Sequence, residues 1–307
     1  GRVFWRIELP LLAPYLASGT LVAFLFAFMD FGVPSALMVN VYPVEVFTQL
    51  GAFQDTGRAL ASATPGLVVV ALAVALRFLA LRASPWPAST CARGPRVPGS
   101  GAALLAVLAL ALGAPLAALL VSAHGHYAEA LRTAGEEVLT SLSVGAFSAA
   151  LLLPAAAAAA LAVRALGPRA RRLASGLLLV PLVVPGAIVG LGLLTLVARD
   201  VAPIAWLRGS VGLLACASFA RFLALPALGL ALFATAFRRE LVDAAEVHGA
   251  RRSTALARIV LPLALPALVH AAALAFVLAL GELPAAVLVA PPGGMTRTPM
   301  RPRSRLG

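Results

Sequence analysis

Three charged residues sit where charge is least expected. Asp30 closes an apolar run at 11–30, Glu282 closes another at 263–286, and Arg221 interrupts a third within Phe219-Ala220-Arg221-Phe222. An ionisable side chain in hydrocarbon is costly and ordinarily faces a bundle interior or a water-filled cavity. Asp30 and Glu282 therefore either line a polar path, where they attract a cation, or reach for water at a helix end. Arg221 either belongs to that path or its gate, or is held by a structural ion pair or by carbonyls. His124 and His126, with Tyr127 and Glu129, are iron-ligand types in one loop, but no spacing rule selects them. His270 reads as a packed residue. There is no Gly-rich phosphate loop with a lysine, no Ser/His/Asp arrangement and no zinc spacing, so no catalytic residue and no metal site are assigned. Cys91 and Cys216 fall in a loop and a helix, where a disulfide between them is not expected.

The elements that carry these residues follow from composition. Hydrophobic residues make up 61% of the 307 and charged residues 12%. Seven stretches approach or exceed the roughly 20 apolar residues that cross a bilayer: 11–30, 59–81, 101–123, 138–163, 173–198, 211–236 and 263–286. Backbone groups in lipid must be satisfied within the segment, so these read as helices. The alternation at Leu108–Leu112 is strand-like, but its run is too long for a strand. The expected fold is all-α and polytopic, with about seven transmembrane helices. Helices 138–163 and 173–198 are rich in small residues, and Gly186-x-x-x-Gly190 favours close backbone approach. Pro185-Gly186 predicts a broken helix.

The net charge of +12 comes from 24 arginines without a lysine. With a cytoplasmic N-terminus, 15 arginines fall in inside loops, and four (Arg58, Arg132, Arg199, Arg208) fall outside. That is the positive-inside bias, so the basic excess is a topology signal and nucleic acid is not an expected partner. The tail 294–307 carries four arginines on the outer side and breaks the rule.

Residues 238–262, RRELVDAAEVHGARRSTALARIVLP, form a charged island between two apolar runs. Its closing pattern recurs at the start of the chain. At an offset of 252 residues, Arg6 falls on Arg258, Ile7 on Ile259, Leu9 on Leu261, Pro10 on Pro262, Pro14 on Pro266, Phe24 on Phe276 and Asp30 on Glu282. Matches at Arg, Pro and acid positions are far less cheap than apolar ones, so two homologous halves are expected. The reading is 1–81 as the end of a first repeat, 82–100 as a cytoplasmic linker, 101–293 as a second repeat and 294–307 as an atypical tail.

Asp243-Ala244-Ala245-Glu246, three residues, Gly249-Ala250, then Ile259-Val260-Leu261-Pro262 resembles the EAA loop of binding-protein-dependent ABC importer permeases. Asp243 stands where that family usually has Glu. The fused layout resembles the ferric-iron branch, as do Asp30-Phe31-Gly32-Val33-Pro34, Phe53-Gln54-Asp55-Thr56-Gly57, Gly281-Glu282-Leu283-Pro284-Ala285 and Pro291-Pro292-Gly293. Thiamine, phosphonate and polyamine importers have similar permeases. The resemblance implies a transport subunit in the bacterial inner membrane. Its implied partners are a dimer of ABC ATPase subunits, a solute-binding protein and the bilayer. This chain would hold no cofactor, since ATP and magnesium belong to the ATPase. The contrasting class is an ATP-independent secondary transporter or a membrane-embedded enzyme.

A permease of this kind needs a rigid lever. Residues 239–248 are good helix formers, and Gly249 can take the left-handed conformation that ends a helix. Ala244 and Ala245 are small enough to seat in a partner's groove, while Asp243 and Glu246 are placed to pair with its basic groups. Ser253 or Thr254 is expected to cap the next helix, and Pro262 to open the membrane helix after it. Asp243, Ala244, Ala245, Glu246, Gly249, Ala250, Ile259, Leu261 and Pro262 are the expected coupling residues. Asp30, Arg221 and Glu282 are the expected path residues. The alternative is an amphipathic loop lying on lipid headgroups.

Overall fold

The computed structural model describes residues 3–51, 56–80, 100–122, 125, 129, 134–202 and 204–289. Every regular element among them is helical. The chain divides into two compact units, residues 1–84 with 143–307, and residues 85–142. The smaller unit contains a helical run through α5 (Ser100–Leu108), a π-helical turn (Ala109–Gly113) and α6 (Ala114–Ser122). The larger unit begins with α1 (Leu9–Phe28), α2 (Gly32–Ala36), α3 (Tyr42–Gly51) and α4 (Thr56–Ala80). After α7 (Gly135–Ala165) follow α8 (Pro168–Val183), α9 (Gly186–Ala198), α10 (Val211–Phe222), α11 (Ala224–Ala236), α12 (Glu240–Val247), α13 (Arg252–Ala255), α14 (Leu261–Leu280) and α15 (Leu283–Val289).

Four stretches are long and apolar enough to cross a membrane: Gly19–Ala36, Gly101–Ser122, Gly135–Ala165 and Arg252–Leu280. Two bent pairs, α8 with α9 and α10 with α11, raise the total to six among the described residues. They fall on six of the seven stretches expected to cross. The stretch at 59–81 forms α4, which is 25 residues long. The stretches at 173–198 and 211–236 are each bent, by 83° and 56°. Proline causes both bends. Pro185 forces Val184 into extended backbone (ψ 125°), so the helix stops and restarts at Gly186. Pro226 has no N–H to offer the Phe222 carbonyl, and the chain turns at Leu223.

Small residues set the packing. The buried positions along α11 include Ala224, Ala227, Ala231 and Ala234, and those of α14, which packs against it, are Ala271, Ala275 and Ala279. A Cβ on Gly145 of α7 would lie 2.8 Å from the Phe276 ring of α14. A Cβ on Gly190 of α9 would lie 3.3 Å from Cα of Ala285 in α15, so this crossing is nearly backbone on backbone.

Secondary structure repeats at the same offset as sequence. A π-helical turn at Phe4–Glu8 leads into α1, and one at Leu256–Val260 leads into α14. Both helices are 20 residues long, with a proline in the first turn. The proline ring crowds the carbonyl four residues back, that of Arg6 or Arg258. Widening the turn relieves this, and the N–H of Leu9 or Leu261 reaches back five residues to Phe4 or Leu256.

Candidate functional site

The charged island forms an elbow. α12 has no buried residue. Its C-terminus closes in a Schellman motif: Ala250 N–H donates to the Ala245 carbonyl (3.0 Å) and Gly249 N–H to that of Glu246 (2.9 Å). Gly249 has φ +82°, the left-handed conformation that any side chain would strain. Ser253 and Thr254 do not act as the expected cap. They lie inside α13, whose N-cap is Arg251, and no side chain bonds its first amides. Pro262 does sit in the first turn of α14.

The two faces of α12 differ. Arg239, Val242, Asp243 and Glu246, at helical spacing, line a groove of about 740 Å³. Its other walls come from α7, α11, α13, the π-helical turn and α14, and include Arg164, Arg252 and Leu268. Ala244, three residues from both Leu241 and Val247, lies outside that groove. Val247 is 84% exposed and Leu241 43%, an apolar knob and shoulder on a protruding helix. Both carboxylates expected to face a partner thus line a groove within this chain, where arginines also lie. Ala245, Ala250 and Ile259 are half-buried, and Leu261 and Pro262 exposed. Sequence reasoning missed Val247; its signal was an apolar residue beside the helix end, within a charged segment.

The second constellation lies deep in the larger unit. Arg221 of α10 and Glu282, between α14 and α15, form an ion pair through Nη1 and Oε2. They are 7% and 6% exposed. The other carboxylate oxygen, Oε1, accepts from the Ala285 N–H (3.3 Å) in the first turn of α15. The guanidinium also stands 5.0 Å from the Phe222 ring centroid. Gly186, at the restart of the broken helix, is pressed against this pair. A Cβ there would overlap Glu282 Oε1 and lie 2.8 Å from Arg221 Nη1. The Gly186-x-x-x-Gly190 spacing read for close approach therefore seats Gly186 on Glu282 and Gly190 on Ala285. What sequence could not show is that one of the two glycines makes room for a charge.

Asp30 comes to the same place. Its Oδ1 accepts from Gly32 N–H (3.1 Å), fixing the turn between α1 and α2. Asp30, Arg221 and Glu282 all line one cavity of about 440 Å³, walled by the ends of α1 and α14 with Leu182 of α8. A buried cluster of Leu21, Leu25, Met29, Leu179, Leu182, Phe222 and Ala224 packs beside it. The two acids that match at the repeat offset thus converge on one space. Nearby, Tyr42 of α3 stacks on Phe28 (centroids 5.3 Å apart) and donates its hydroxyl to the Ala63 carbonyl of α4. Burial pushes its phenol above the usual range, so it stays a neutral donor. His124, His126, Tyr127, Cys91, Asp55 and the segments 82–99 and 294–307 lie outside the described residues. No group of three or more metal-ligating side chains occurs among the described ones.

A helical bundle of apolar, partly broken spans with a charged elbow defines a multi-pass membrane protein. Residues 151–306, half of the chain, match the family described as binding-protein-dependent transport system inner membrane component, and the chain belongs to that family. It is a polytopic protein of the bacterial inner membrane, all-α among the described residues. The match covers the elbow, Gly186, Arg221 and Glu282. Among curated proteins the chain is similar to the PhnV permease protein of a 2-aminoethylphosphonate transport system from Salmonella paratyphi A. That likeness is 30% identity over 172 residues, 56% of this chain and 64% of the relative. The counterpart from Salmonella typhimurium is 29% identical over the same shares. The chain thus spans 64% of the length of these relatives.

Proposed function

We propose that this chain forms part of the membrane pathway of an ATP-driven, binding-protein-dependent importer and receives force through the elbow at 238–262. The observation that carries this reading is α12 itself. It is a short helix without a buried residue, closed by Gly249 and presenting Ala244 and Val247 outward. An apolar knob beside a small residue on a rigid projection suits a groove on a partner. The partner is a separate ABC ATPase, acting as a dimer with one copy per permease half, which holds the ATP and magnesium. A solute-binding protein delivers cargo on the opposite side. The segments leading into α1 and α14, alike in sequence and in their widened turns, are equivalent parts of two fused halves.

Two cargoes have a specific observation behind them. The resemblance of Asp30–Pro34, Phe53–Gly57 and Gly281–Ala285 to the ferric-iron branch favours ferric iron. The Salmonella relatives, permeases of 2-aminoethylphosphonate systems, favour a small phosphonate. Uptake of labelled ferric iron and of labelled 2-aminoethylphosphonate by cells expressing the complete transporter separates them. The coupling reading is tested by crosslinking from Ala244→Cys to the ATPase encoded beside the chain. Absence of any ATPase adduct from that position in the assembled transporter overturns it.

A further inference from the structure

The geometry points to the cavity between Asp30 and the Arg221–Glu282 pair as a binding site for a small zwitterion, its ammonium held by Asp30 and its anionic group by Arg221. This deepens the importer reading and rests on it.

Three observations carry the assignment. The first is charge. Among the described residues, Asp30, Glu282 and Arg221 are the charged ones lining the cavity, and two carboxylates against one guanidinium leave that lining acidic. An added ammonium group restores balance, whereas a lone anion worsens it. The second is a cation with one carboxylate partner. Arg221 lines the cavity and is more than nine-tenths buried, a guanidinium has five N–H groups, and its ion pair among the described residues is with Glu282 alone. A guanidinium N–H turned to the cavity gains when a ligand oxygen supplies an acceptor. The third is space. A cavity of about 440 Å³ falls within the range of small-molecule sites. Its remaining wall is largely apolar, including Leu182, Phe222 and Leu278, which lowers the local dielectric around the charged contacts.

The orientation follows from how each charge is already engaged. Glu282 is committed on both oxygens, to Arg221 and to the Ala285 amide. Asp30 has one oxygen on the Gly32 amide and belongs to no ion pair among the described residues. The ammonium therefore goes to Asp30, and the phosphonate or carboxylate goes to the far edge of Arg221. Ligands with a single head, cationic or anionic, satisfy only half of the site.

The full chain in lipid nanodiscs, without ATPase, is titrated with radiolabelled 2-aminoethylphosphonate and competed with ethylphosphonate or ethylamine. Saturable binding is expected, with each single-headed competitor weaker by at least about tenfold, the size of one charge-assisted hydrogen bond. Asp30→Asn keeps an acceptor for the Gly32 amide and removes the charge. It is expected to weaken the zwitterion at least about tenfold and to erase its advantage over ethylphosphonate. No saturable binding, equal competition by either analogue, or an unchanged advantage in Asp30→Asn overturns the proposal. The competition arm needs no variant and decides the matter even if Asp30→Asn does not fold. ATPase crosslinking without zwitterion binding defeats this site and leaves the importer reading intact; binding without crosslinking does the reverse.

Discussion

Arg221 and Glu282, 61 residues apart, meet as a buried ion pair whose carboxylate also holds the first turn of α15. One carboxylate thus ties α10 to the junction of α14 and α15. Removing one partner of such a pair leaves a bare buried charge, at about 3–5 kcal/mol, although replacing both together is far milder. Arg221→Gln and Glu282→Gln are each expected to lower the melting temperature of the purified protein markedly. Arg221→Gln/Glu282→Gln should recover much of the loss. Additive losses in that double-mutant cycle would show that the two side chains do not interact.

Gly186 lies against that pair with no space for a methyl group. Gly186→Ala is expected to push the Glu282 carboxylate away and to destabilise the protein by about 1–3 kcal/mol, the usual range for overpacking. Gly192, on the same helix with nothing near its Cβ position, is the control, since Gly192→Ala should be neutral or slightly stabilising. Equal melting temperatures for the two variants would contradict the packing described.

Gly249 is held at φ +82° by the Schellman closure. Proline at this position fixes φ near −65° and removes the N–H that bonds the Glu246 carbonyl. Gly249→Pro is expected to abolish ATP-driven uptake while membrane insertion and protein level stay normal. Gly249→Ala, which adopts the left-handed conformation at about 1–2 kcal/mol, should retain part of the uptake. Wild-type uptake by Gly249→Pro would remove the lever from the mechanism.

The two faces of α12 should behave differently towards the ATPase. Single cysteines at Ala244 and Val247 are expected to react with a water-soluble maleimide and to be shielded when the ATPase docks. A cysteine at Glu246, on the groove side, should react equally with and without the ATPase. Shielding confined to position 246 would place the docking face on the opposite side of the helix.

Tyr42 and Gly66 fix α3 on α4. A Cβ at Gly66 would overlap the Tyr42 ring. Gly66→Ala is expected to destabilise the protein by about 1–3 kcal/mol, and Tyr42→Phe by about 1 kcal/mol through the lost hydrogen bond to the Ala63 carbonyl. A smaller ring neighbour, as in Gly66→Ala/Tyr42→Val, should relieve the clash. Thermal unfolding of the three variants checks the order.

Much of this architecture is legible in the residues, and the exceptions have physical causes. Run length alone identifies the apolar helices, because lipid leaves the backbone few alternatives. Gly249 is readable because a left-handed residue strongly favours glycine. The repeat offset of 252 foretells that Asp30 and Glu282 end equivalent helices, though not that they face one cavity. Proline is ambiguous in sequence. Pro154, Pro181 and Pro266 lie inside intact helices, whereas Pro185 and Pro226 accompany bends of 83° and 56°. Neighbouring helices decide which freed carbonyl can be tolerated. The partner of Arg221 was equally unreadable, since the choice between ion pair and polar path depends on which acid the fold delivers. The structure shows the ion pair, set in the wall of a cavity. The groove side of α12 could not be assigned either, because Asp243 and Glu246 look alike whether they face a partner or their own bundle.

The widened turn at Leu256–Val260 has a consequence for everything after it. A π-helical turn holds one residue more than an α-helical turn, and each residue advances a helix by about 100°. Deleting one residue there would restore a regular spiral and swing the whole rod by that angle. Ala271, Ala275 and Ala279 would leave the face they share with α11, and Glu282 would point away from Arg221. That single surplus residue thus sets the compass bearing of a carboxylate more than 20 positions downstream.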